Sequence, residues 1–492
     1  MGIFVLKWFF LLVLHASTYP AAARRERKNV LFIMADDLRT SLGCYGDPVA
    51  KSPNIDQLAS RGQVFLNAFA QQAVCGPSRV SMLTSRRPDT TRLYDFNSYW
   101  RVHSGNYTTL PQYFKSQGYF TMSVGKVFHP GIASNNTDDY PYSWSIPAYH
   151  PPSFTYEKQK EYLTLYPLDQ MTLASDPDIP ERLPTVAYNP WTDVRMREDV
   201  QKLNISFPYG SIPKDFQLRI RQHYYAAVSY MDAQVGRLLS ALEDLGLADN
   251  TMVVFTSDHG WSLGEHGEWA KYSNFDVATR VPLIFFVPGG NEAGTSTFPF
   301  IDVLRESVHS IKSGKVRSRL VELVDVFPTV SYLAGLKVPV QCPDISFQVE
   351  LCTEGENRAY AAPQGQSERT PEDVAFSQYP RPADTPQENS DLPDLKDIKI
   401  MGYSLRTWDY RYTLWLGFNP KTFQVNVSDV HAGELYMSAD DPGQDKNIFN
   451  NSDYSEIMRK TASLPQTVGL QMRMKLQFHY LTAGMKTSRG KA

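Results

Sequence analysis

Acidic side chains follow two apolar runs in this sequence, each shortly after the run ends. Asp36 and Asp37 come after the run at 29–34, and Asp258 and His259 follow the run at 252–256. Because ligand groups collect beyond the carboxyl ends of strands in open α/β sheets, we expect these side chains to converge. Three carboxylates and an imidazole suit a hard divalent cation such as Ca²⁺ or Mg²⁺, and the nitrogen ligand weighs against Mg²⁺. Each pair alone is a weak signal, since an Asp-Asp pair is also a common turn or helix cap.

A cysteine motif, C-G-P-S-R, occupies residues 75–79 and is followed by Leu83 and Thr84. Its proline and serine are typical of a helix start, so Cys75 could be an ordinary buried cysteine at that start. Alternatively, Cys75 could be a reactive thiol, because a helix N-terminus lowers the pKa of a nearby thiol. Both interpretations place Cys75 beside the first turn of a helix.

The elements that position these side chains are predicted from the hydrophobic pattern. Short apolar runs predict buried strands, of the kind found in a sheet covered on both faces, at 29–34, 120–124, 252–256 and 283–287. Helices are predicted at 53–61, 78–84, 216–245 and 320–333, the last interrupted by Pro328. The longest helix has an apolar face formed by Ile220, Tyr224, Ala227, Met231, Val235, Leu238, Leu242 and Leu245. Residues 130–213 are rich in proline and aromatic residues and show no clear periodicity.

The domain organisation follows from changes in composition. Two alternating runs, 403–407 and 411–415, predict an antiparallel hairpin in a second, smaller domain. We therefore predict a signal peptide at 1–23, a catalytic domain at 24–355, a linker at 356–372 and a C-terminal domain at 373–492. The polar tail of that last domain is expected to fray.

Charge and the N-terminus limit the class of partner. The chain has 492 residues, 42% of them hydrophobic, and a formal net charge of -3. This charge gives no general attraction to nucleic acid or to an anionic membrane, so an anionic substrate requires a local basic pocket.

The apolar run at 4–14, followed by three alanines ending at Ala23, predicts a cleaved signal peptide. That run is shorter than the roughly 20 residues of a membrane span, so no span is predicted.

Modification sites fit a secretory route. Glycosylation sequons occur at Asn106, Asn135, Asn204, Asn426 and Asn450. Of the four cysteines, Cys342 and Cys352 are close in sequence and could close a small loop. Cys44 and Cys75 then either remain unpaired or bridge each other.

With its C-x-P-S-R motif followed by Leu-Thr, the chain resembles the formylglycine-dependent sulfatases. The resemblance implies that the formylglycine-generating enzyme oxidises Cys75 to formylglycine, whose hydrate attacks sulfur, and that Arg79 stabilises the aldehyde. Residues 118–129 resemble the family segment G-Y-x-T-x-x-x-G-K-x-H, in which Lys126 would contact sulfate and His129 would orient the hydrate. Lys271 would be a further sulfate contact or the acid that protonates the leaving oxygen. As bare patterns, a Gly-Lys turn and a lone lysine are ordinary surface features.

The same resemblance implies the metal site and the fold. One Ca²⁺ per subunit would be bound by Asp36, Asp37, the modified Cys75, Asp258 and His259. The expected fold is α/β, with an alkaline phosphatase/sulfatase-like central mixed sheet flanked by helices. A smaller C-terminal α+β domain would contain an antiparallel sheet.

Further motifs at 36–39, 86–92 and 264–269 are similar to one branch of the family. This branch removes the 2-sulfate of iduronate from heparan sulfate and dermatan sulfate in the lysosome. The implied partner is therefore a sulfated glycosaminoglycan, and the implied location is lysosomal by the secretory pathway, or secreted.

The sequence departs from the family pattern at two places. Ser85 replaces the glycine of L-T-G, and 130–213 lacks the expected apolar strand with its following histidine. Only His150 and His223 lie between His129 and Asp258. The alternative hypothesis is therefore a sulfatase-fold glycoprotein that is catalytically impaired or inactive. Phosphoester or phosphonate hydrolysis is a further alternative, against which the cysteine nucleophile argues.

Overall fold

The structure is a computed structural model. It describes residues 27–152, 156–289, 297–306, 314–359 and 373–454. The predicted signal peptide, most of the predicted linker and all but the first residues of the predicted frayed tail, which begins at Asn447, lie outside these ranges. The strands are β1 Asn29–Ala35, β2 Gln63–Phe69, β3 Thr251–Ser257, β4 Ser262–Leu263, β5 Trp269–Ala270, β6 Arg280–Phe286, β7 Lys315–Glu322, β8 Ala375–Arg381, β9 Ile400–Arg406, β10 Tyr410–Asn419 and β11 Gln424–Met437. The helices are α1 Pro53–Ser60, α2 Cys75–Thr84, α3 Pro88–Thr91, α4 Trp100–His103, α5 Leu110–Ser116, α6 Thr192–Arg195, α7 Glu198–Gln201, α8 Lys214–Asp244, α9 Asp276–Thr279 and α10 Val326–Leu333.

A five-stranded mixed sheet forms the centre of the fold, in the order β1-β3-β6-β2-β7. β1 and β3 pair in parallel, β6 is antiparallel to both of its neighbours, and β2 pairs in parallel with β7. The strands β1, β2 and β3 therefore run in the same direction. Their carboxyl ends meet at one edge of the sheet, as the α/β prediction requires.

Helices cover both faces of the sheet. On β3, Val253 and Phe255 pack in the cluster that contains side chains of α1 and α8. The alternate residues Met252 and Val254 pack in the cluster that contains side chains of α2, α5 and α10. This alternation follows from the two-residue period of a strand. Every residue of β3 is buried, so β3 is a central strand.

The long helix α8 lies where the pattern predicted it, and the predicted apolar face is confirmed in part. Val235 is buried, and Met231 and Leu242 pack against the same cluster. Leu238, Leu245 and Ala227, which belong to the predicted apolar face, are exposed. The buried face instead includes Asp232, whose carboxylate accepts hydrogen bonds from the backbone N–H of Asn54 and Ile55 at the start of α1. A polar side chain that caps a neighbouring helix is invisible to a hydrophobicity pattern, which explains the error.

The predicted strands are confirmed at β1, β3 and β6, and two other predictions are wrong. Residues 120–124 form no strand, and Val124 makes only an isolated bridge to Tyr149. The predicted helix at 320–333 is strand β7 up to Glu322 and α-helical only from Val326. β2 was not predicted, because Gln63 and Asn67 interrupt its apolar pattern.

The antiparallel hairpin is confirmed as β9 and β10, within a four-stranded sheet of order β11-β10-β9-β8. This C-terminal sheet is attached to the central sheet through β8. The backbone N–H of Phe376 donates to Glu322 at 2.9 Å, and the Ser377 hydroxyl donates to the carbonyl of Ala70 at 2.6 Å.

A disulfide joins Cys342 to Cys352, and none joins Cys44 to Cys75. In the described ranges, every helix is too short or too polar to cross a bilayer.

The aperiodic region 130–213 is held in place by hydrogen bonds to β5 and its neighbours. The backbone N–H of Asn189 donates to Oε1 of Glu268 at 2.8 Å. The Asn189 side-chain amide donates to the carbonyls of Trp269 and Lys271. Glu268 is fully buried, and burial raises its pKa to about 8. A buried carboxyl thus supports this loop where it packs on β5.

Glu268→Gln should flatten the dependence of stability on pH. Because the folded-state pKa of Glu268 is raised, the folded protein retains a proton that the unfolded chain loses, so stability falls as pH rises toward 8. The wild-type free energy of unfolding should fall relative to that of Glu268→Gln by about 1 kcal/mol per pH unit between pH 5 and 8. Thermal unfolding across this range measures the difference. Glu198→Gln, at an exposed glutamate, is the control, and parallel curves for wild type and Glu268→Gln would contradict the role of Glu268.

Candidate active site

Three strand ends bring the predicted site residues to one edge of the central sheet. Asp36 and Asp37 follow β1, and Asp258 and His259 follow β3. The chain after β2 leads directly into α2, whose first residue is Cys75. Residues separated by more than 200 positions in sequence therefore meet because their strands are neighbours.

Cys75 lies at the centre of this group and is buried. Its Sγ is 3.2 Å from Oδ1 of Asp36, 3.3 Å from Nε2 of His259 and 3.1 Å from Nζ of Lys271. The predicted conversion of Cys75 to formylglycine would replace this sulfur with an oxygen of the hydrate. The thiol therefore marks where the nucleophilic oxygen would lie.

Four side chains could bind a divalent cation. One ligand atom from each of Asp36, Asp37, Cys75 and His259 lies within 4.8 Å of the other three. Two carboxylates and the oxygen expected at position 75 are hard donors, which fit Ca²⁺, and the imidazole adds one nitrogen. The donor set therefore fits the predicted metal.

Asp258, also predicted as a ligand, directs its oxygens at protein donors. Its Oδ2 accepts from Nε of Arg79 at 2.7 Å. Its Oδ1 accepts from the backbone N–H of Asp37 at 3.2 Å and of His259 at 2.9 Å. In this arrangement Asp258 orients the backbone of Asp37 and His259, which could bind a cation, while its own role as a direct ligand stays a prediction.

Arg79 links the helix that carries Cys75 to two other segments. In addition to its ion pair with Asp258, its Nη1 donates to the carbonyls of Lys126 and Val127. Its Nη2 lies 3.3 Å from Oδ1 of Asp36 but makes no hydrogen bond. This buried nitrogen pairs with Asp36 without a hydrogen bond, and Arg79 also interacts electrostatically with Cys75, which fits the predicted contact with the formylglycine oxygen.

Two lysines each contact one of the carboxylates of Asp36 and Asp37. Nζ of Lys126 is 2.8 Å from Oδ2 of Asp36, and Nζ of Lys271 is 2.8 Å from Oδ1 of Asp37. Burial opposes ionisation of Asp36, but Arg79 and Lys126 hold its pKa well below the usual range. Burial likewise opposes the charge on Lys271, but Asp37 and Cys75 raise its pKa above the ordinary value. The Asp36 carboxylate is therefore ionised and the Lys271 amine is protonated at any physiological pH.

His129 reaches the same site from the segment that follows Lys126. Its ring stacks on Phe96 with a centroid distance of 3.8 Å, and its Nδ1 is buried without a hydrogen-bond partner. Burial, together with Lys126 and Arg79, lowers the pKa of His129 to about 4. A neutral imidazole with an open nitrogen can accept a hydrogen bond or a proton from a hydroxyl bound at position 75.

The two other histidines of interest do not contact Cys75. His150 is half exposed and its Nε2 lies 2.6 Å from Asp138. His223 is exposed on α8, where its Nδ1 contacts the carbonyl of Arg219. Sequence reasoning missed Phe96, because a single aromatic residue in a loop carries no recognisable signal.

The comparisons with known proteins agree with this geometry. The sulfatase family model matches residues 28–175 and 143–336, which together cover more than half of the chain. The chain belongs to the sulfatase family. It is 55% identical to the iduronate 2-sulfatase of Homo sapiens over 521 residues, covering 90% of this chain and 95% of that relative. It is 28% identical to the N-acetylgalactosamine-6-sulfatase of Canis lupus familiaris, covering 68% and 67% of the two chains.

Solved structures show the same fold. A 2-O GAG sulfatase aligns with a TM-score of 0.60 at 19% identity, covering 95% of this sulfatase and 94% of that chain. The phosphonate monoester hydrolase of Agrobacterium radiobacter aligns with a TM-score of 0.57 at 19% identity, covering 92% and 96%. At these identities the likeness concerns the fold and not the reaction.

Part of the human relative has no counterpart in this sulfatase. The aligned region spans 521 positions, whereas the whole chain has 492 residues. The family model matches the chain in two separate pieces, which overlap at 143–175. The family pattern is therefore interrupted in this stretch. A break there agrees with the absence of a strand pattern in 130–213.

Ca²⁺ should stabilise this sulfatase against thermal unfolding after treatment with a chelator. A cation that binds only the folded protein adds about 3 kcal/mol at a concentration 100-fold above its Kd. Asp37→Asn should remove most of the increase in Tm, because it removes one negative ligand. Asp440→Asn, at an exposed aspartate, is the matched control. An equal Ca²⁺-dependent increase in Asp37→Asn and in the control would rule out this site.

Proposed function

We propose that this sulfatase removes the 2-sulfate from iduronate residues of heparan sulfate and dermatan sulfate in the lysosome. The observation that carries the proposal is the position of Cys75, whose Sγ contacts Asp36, His259 and Lys271 at 3.1 to 3.3 Å. The substrate assignment is supported by the 55% identity to human iduronate 2-sulfatase. This identity also favours an active enzyme over an inactive glycoprotein.

The nucleophile would be an oxygen of the formylglycine hydrate derived from Cys75. A bound Ca²⁺ would lower the pKa of this oxygen and withdraw charge from the sulfate. Neutral His129 would accept a hydrogen bond from the hydrate and position it. The attacking oxygen would form a new bond to sulfur while the bond from sulfur to the sugar oxygen breaks.

The leaving oxygen and the sulfate require positive charge and a proton. Lys271 is protonated and lies 3.1 Å from the nucleophile position, so a sulfate bound there would be within its reach. Its proposed role is either to contact that sulfate or to protonate the leaving sugar oxygen. Lys126 and Arg79 would stabilise the sulfate oxygens. Release would follow when the second hydroxyl of residue 75 loses its proton. The carbon–oxygen bond to sulfate then breaks and the aldehyde forms again.

The secretory and lysosomal parts of the proposal are supported by the surface of the protein. All five predicted glycosylation sites are exposed, as carbohydrate attachment requires: Asn106, Asn135, Asn204, Asn426 and Asn450. The raised pKa of Glu268 favours the folded state in an acidic compartment. The formylglycine-generating enzyme would act on the chain during secretion.

The maturation step can be tested on full-length protein secreted from eukaryotic cells. Mass spectrometry of the peptide that contains Cys75 should show formylglycine, and the protein should release sulfate from a 2-sulfated iduronate disaccharide. Cys75→Ala should keep the fold and lose the activity. An unmodified thiol and no sulfate release would overturn the proposal and leave the inactive glycoprotein as the explanation.

The role of Lys271 can be separated from a general effect of surface charge. Lys271→Ala should lower kcat by about 100-fold or more, because a general acid contributes 10²–10⁴-fold. Lys202→Ala removes an exposed lysine and should have no effect. An aryl sulfate, whose leaving group needs no proton, should restore much of the rate of Lys271→Ala. Equal loss with both substrates would show that Lys271 does not protonate the leaving group.

A further inference from the structure

Asp36 and Asp37 are neighbours in sequence, yet both carboxylates belong to the same group of cation-binding atoms. One oxygen of each lies within 4.8 Å of the other, of Sγ of Cys75 and of a ring nitrogen of His259. Successive side chains of an extended strand point to opposite faces of the sheet. Two adjacent residues can therefore share one site only if the chain bends after β1.

The bend lies at Asp37, whose backbone is in the left-handed conformation with φ of 58°. Residues other than glycine adopt this conformation rarely, although aspartate tolerates it better than most. Such a conformation persists in a folded protein where the surrounding structure holds it. The position of the Asp37 carboxylate thus depends on the contacts that hold its backbone.

One side of the bend is held by β3 and the residue that follows it. The backbone N–H of Asp37 donates to Oδ1 of Asp258 at 3.2 Å, and that of Leu38 donates to the Ser257 hydroxyl at 3.0 Å. The Ser257 hydroxyl itself donates to the carbonyl of His259 at 2.9 Å. These contacts tie the bend to the neighbouring strand of the central sheet.

The other side of the bend is held from α8, by Tyr224. Its hydroxyl donates to the carbonyl of Asp37 at 2.9 Å and accepts from the backbone N–H of Arg39 at 3.1 Å. A tyrosine hydroxyl has one proton to donate and can also accept, so Tyr224 uses both capacities on the bend. Its ring packs against the cluster that contains Leu38 and Val228, which fixes the hydroxyl in place.

The carboxylate at the bend also contacts two other side chains of the site. Oδ1 of Asp37 lies 2.8 Å from Nζ of Lys271 and 3.4 Å from Nε2 of His259. A backbone shift at residue 37 would therefore move a cation-binding oxygen relative to both. Removing a group that orients a metal ligand typically lowers metal affinity by 10–100-fold.

We propose that Tyr224 is a positioning residue for the cation site, because its hydroxyl holds the left-handed bend that brings the carboxylates of Asp36 and Asp37 together. Both of its hydrogen bonds at the bend go to backbone atoms, so it acts through Asp37. The role rests on the proposed cation site, but it requires neither formylglycine at residue 75 nor a bound substrate.

Isothermal titration of the full-length, chelator-treated protein with Ca²⁺ tests this role. Tyr224→Phe keeps the ring and removes the hydroxyl, and should raise the Kd for Ca²⁺ by about 10–100-fold. Tyr225→Phe is the matched control, since the hydroxyl of this next residue on α8 donates to Asp47 at 3.2 Å and not to the bend. It should leave the Kd unchanged.

The Tm of each variant without Ca²⁺ separates positioning from packing. A lower Tm of Tyr224→Phe together with a wild-type Kd would assign Tyr224 to packing alone and overturn the proposal. No Ca²⁺ binding by the wild type would remove the cation site and the role of Tyr224 together. Sulfate release by the wild type is measured separately, so failure of the positioning role remains distinguishable from failure of the proposed reaction.

The dependence of activity on Ca²⁺ concentration gives a second readout. Tyr224→Phe should require about 10–100-fold more Ca²⁺ for half-maximal sulfate release. Its kcat at saturating Ca²⁺ should return close to that of the wild type, because the carboxylate of Asp37 is intact. A loss of activity that no concentration of Ca²⁺ restores would contradict a role confined to the cation site.

Discussion

The buried ion pair between Arg79 and Asp258 joins the elements that carry the active-site side chains. Neither side chain is exposed to solvent, and Nε lies 2.7 Å from Oδ2. Arg79 belongs to α2, Asp258 follows β3, and the same guanidinium holds the carbonyl of Lys126. Because an unpartnered buried charge destabilises a protein by about 3–5 kcal/mol, each of these segments is held in position by the others.

This constraint explains how the carboxylates of Asp36, Asp37 and Asp258 can lie close together. Asp258 accepts hydrogen bonds from the backbone N–H of Asp37 and His259 and from Arg79, so its oxygens are directed at protein donors. Asp36 and Asp37 each contact one lysine, and a bound divalent cation would add charge between them. The site is therefore suited to an anionic substrate in a protein whose net charge is slightly negative.

The departure at Ser85 has a structural explanation. Ser85 ends α2 in the left-handed conformation, with φ of 54°, a position where glycine is favoured because it has no Cβ. Its hydroxyl compensates with contacts of 2.6 Å to the carbonyl of Val324 and to the Thr353 hydroxyl. The folded protein thus accepts serine where the family motif has glycine.

By itself, the sequence determined which residues could perform the chemistry and the type of fold that positions them. The motif around Cys75, the acidic residues after β1 and β3, and the hairpin of β9 and β10 are local patterns. Only the tertiary structure decided that Asp258 faces Arg79, that Phe96 stacks on His129, and that α8 buries Asp232. It also decided that the apolar run at 120–124 is exposed, because a strand forms only where a neighbour supplies the hydrogen bonds. Contacts between distant positions depend on which surfaces meet, and a local pattern contains no information about its partner.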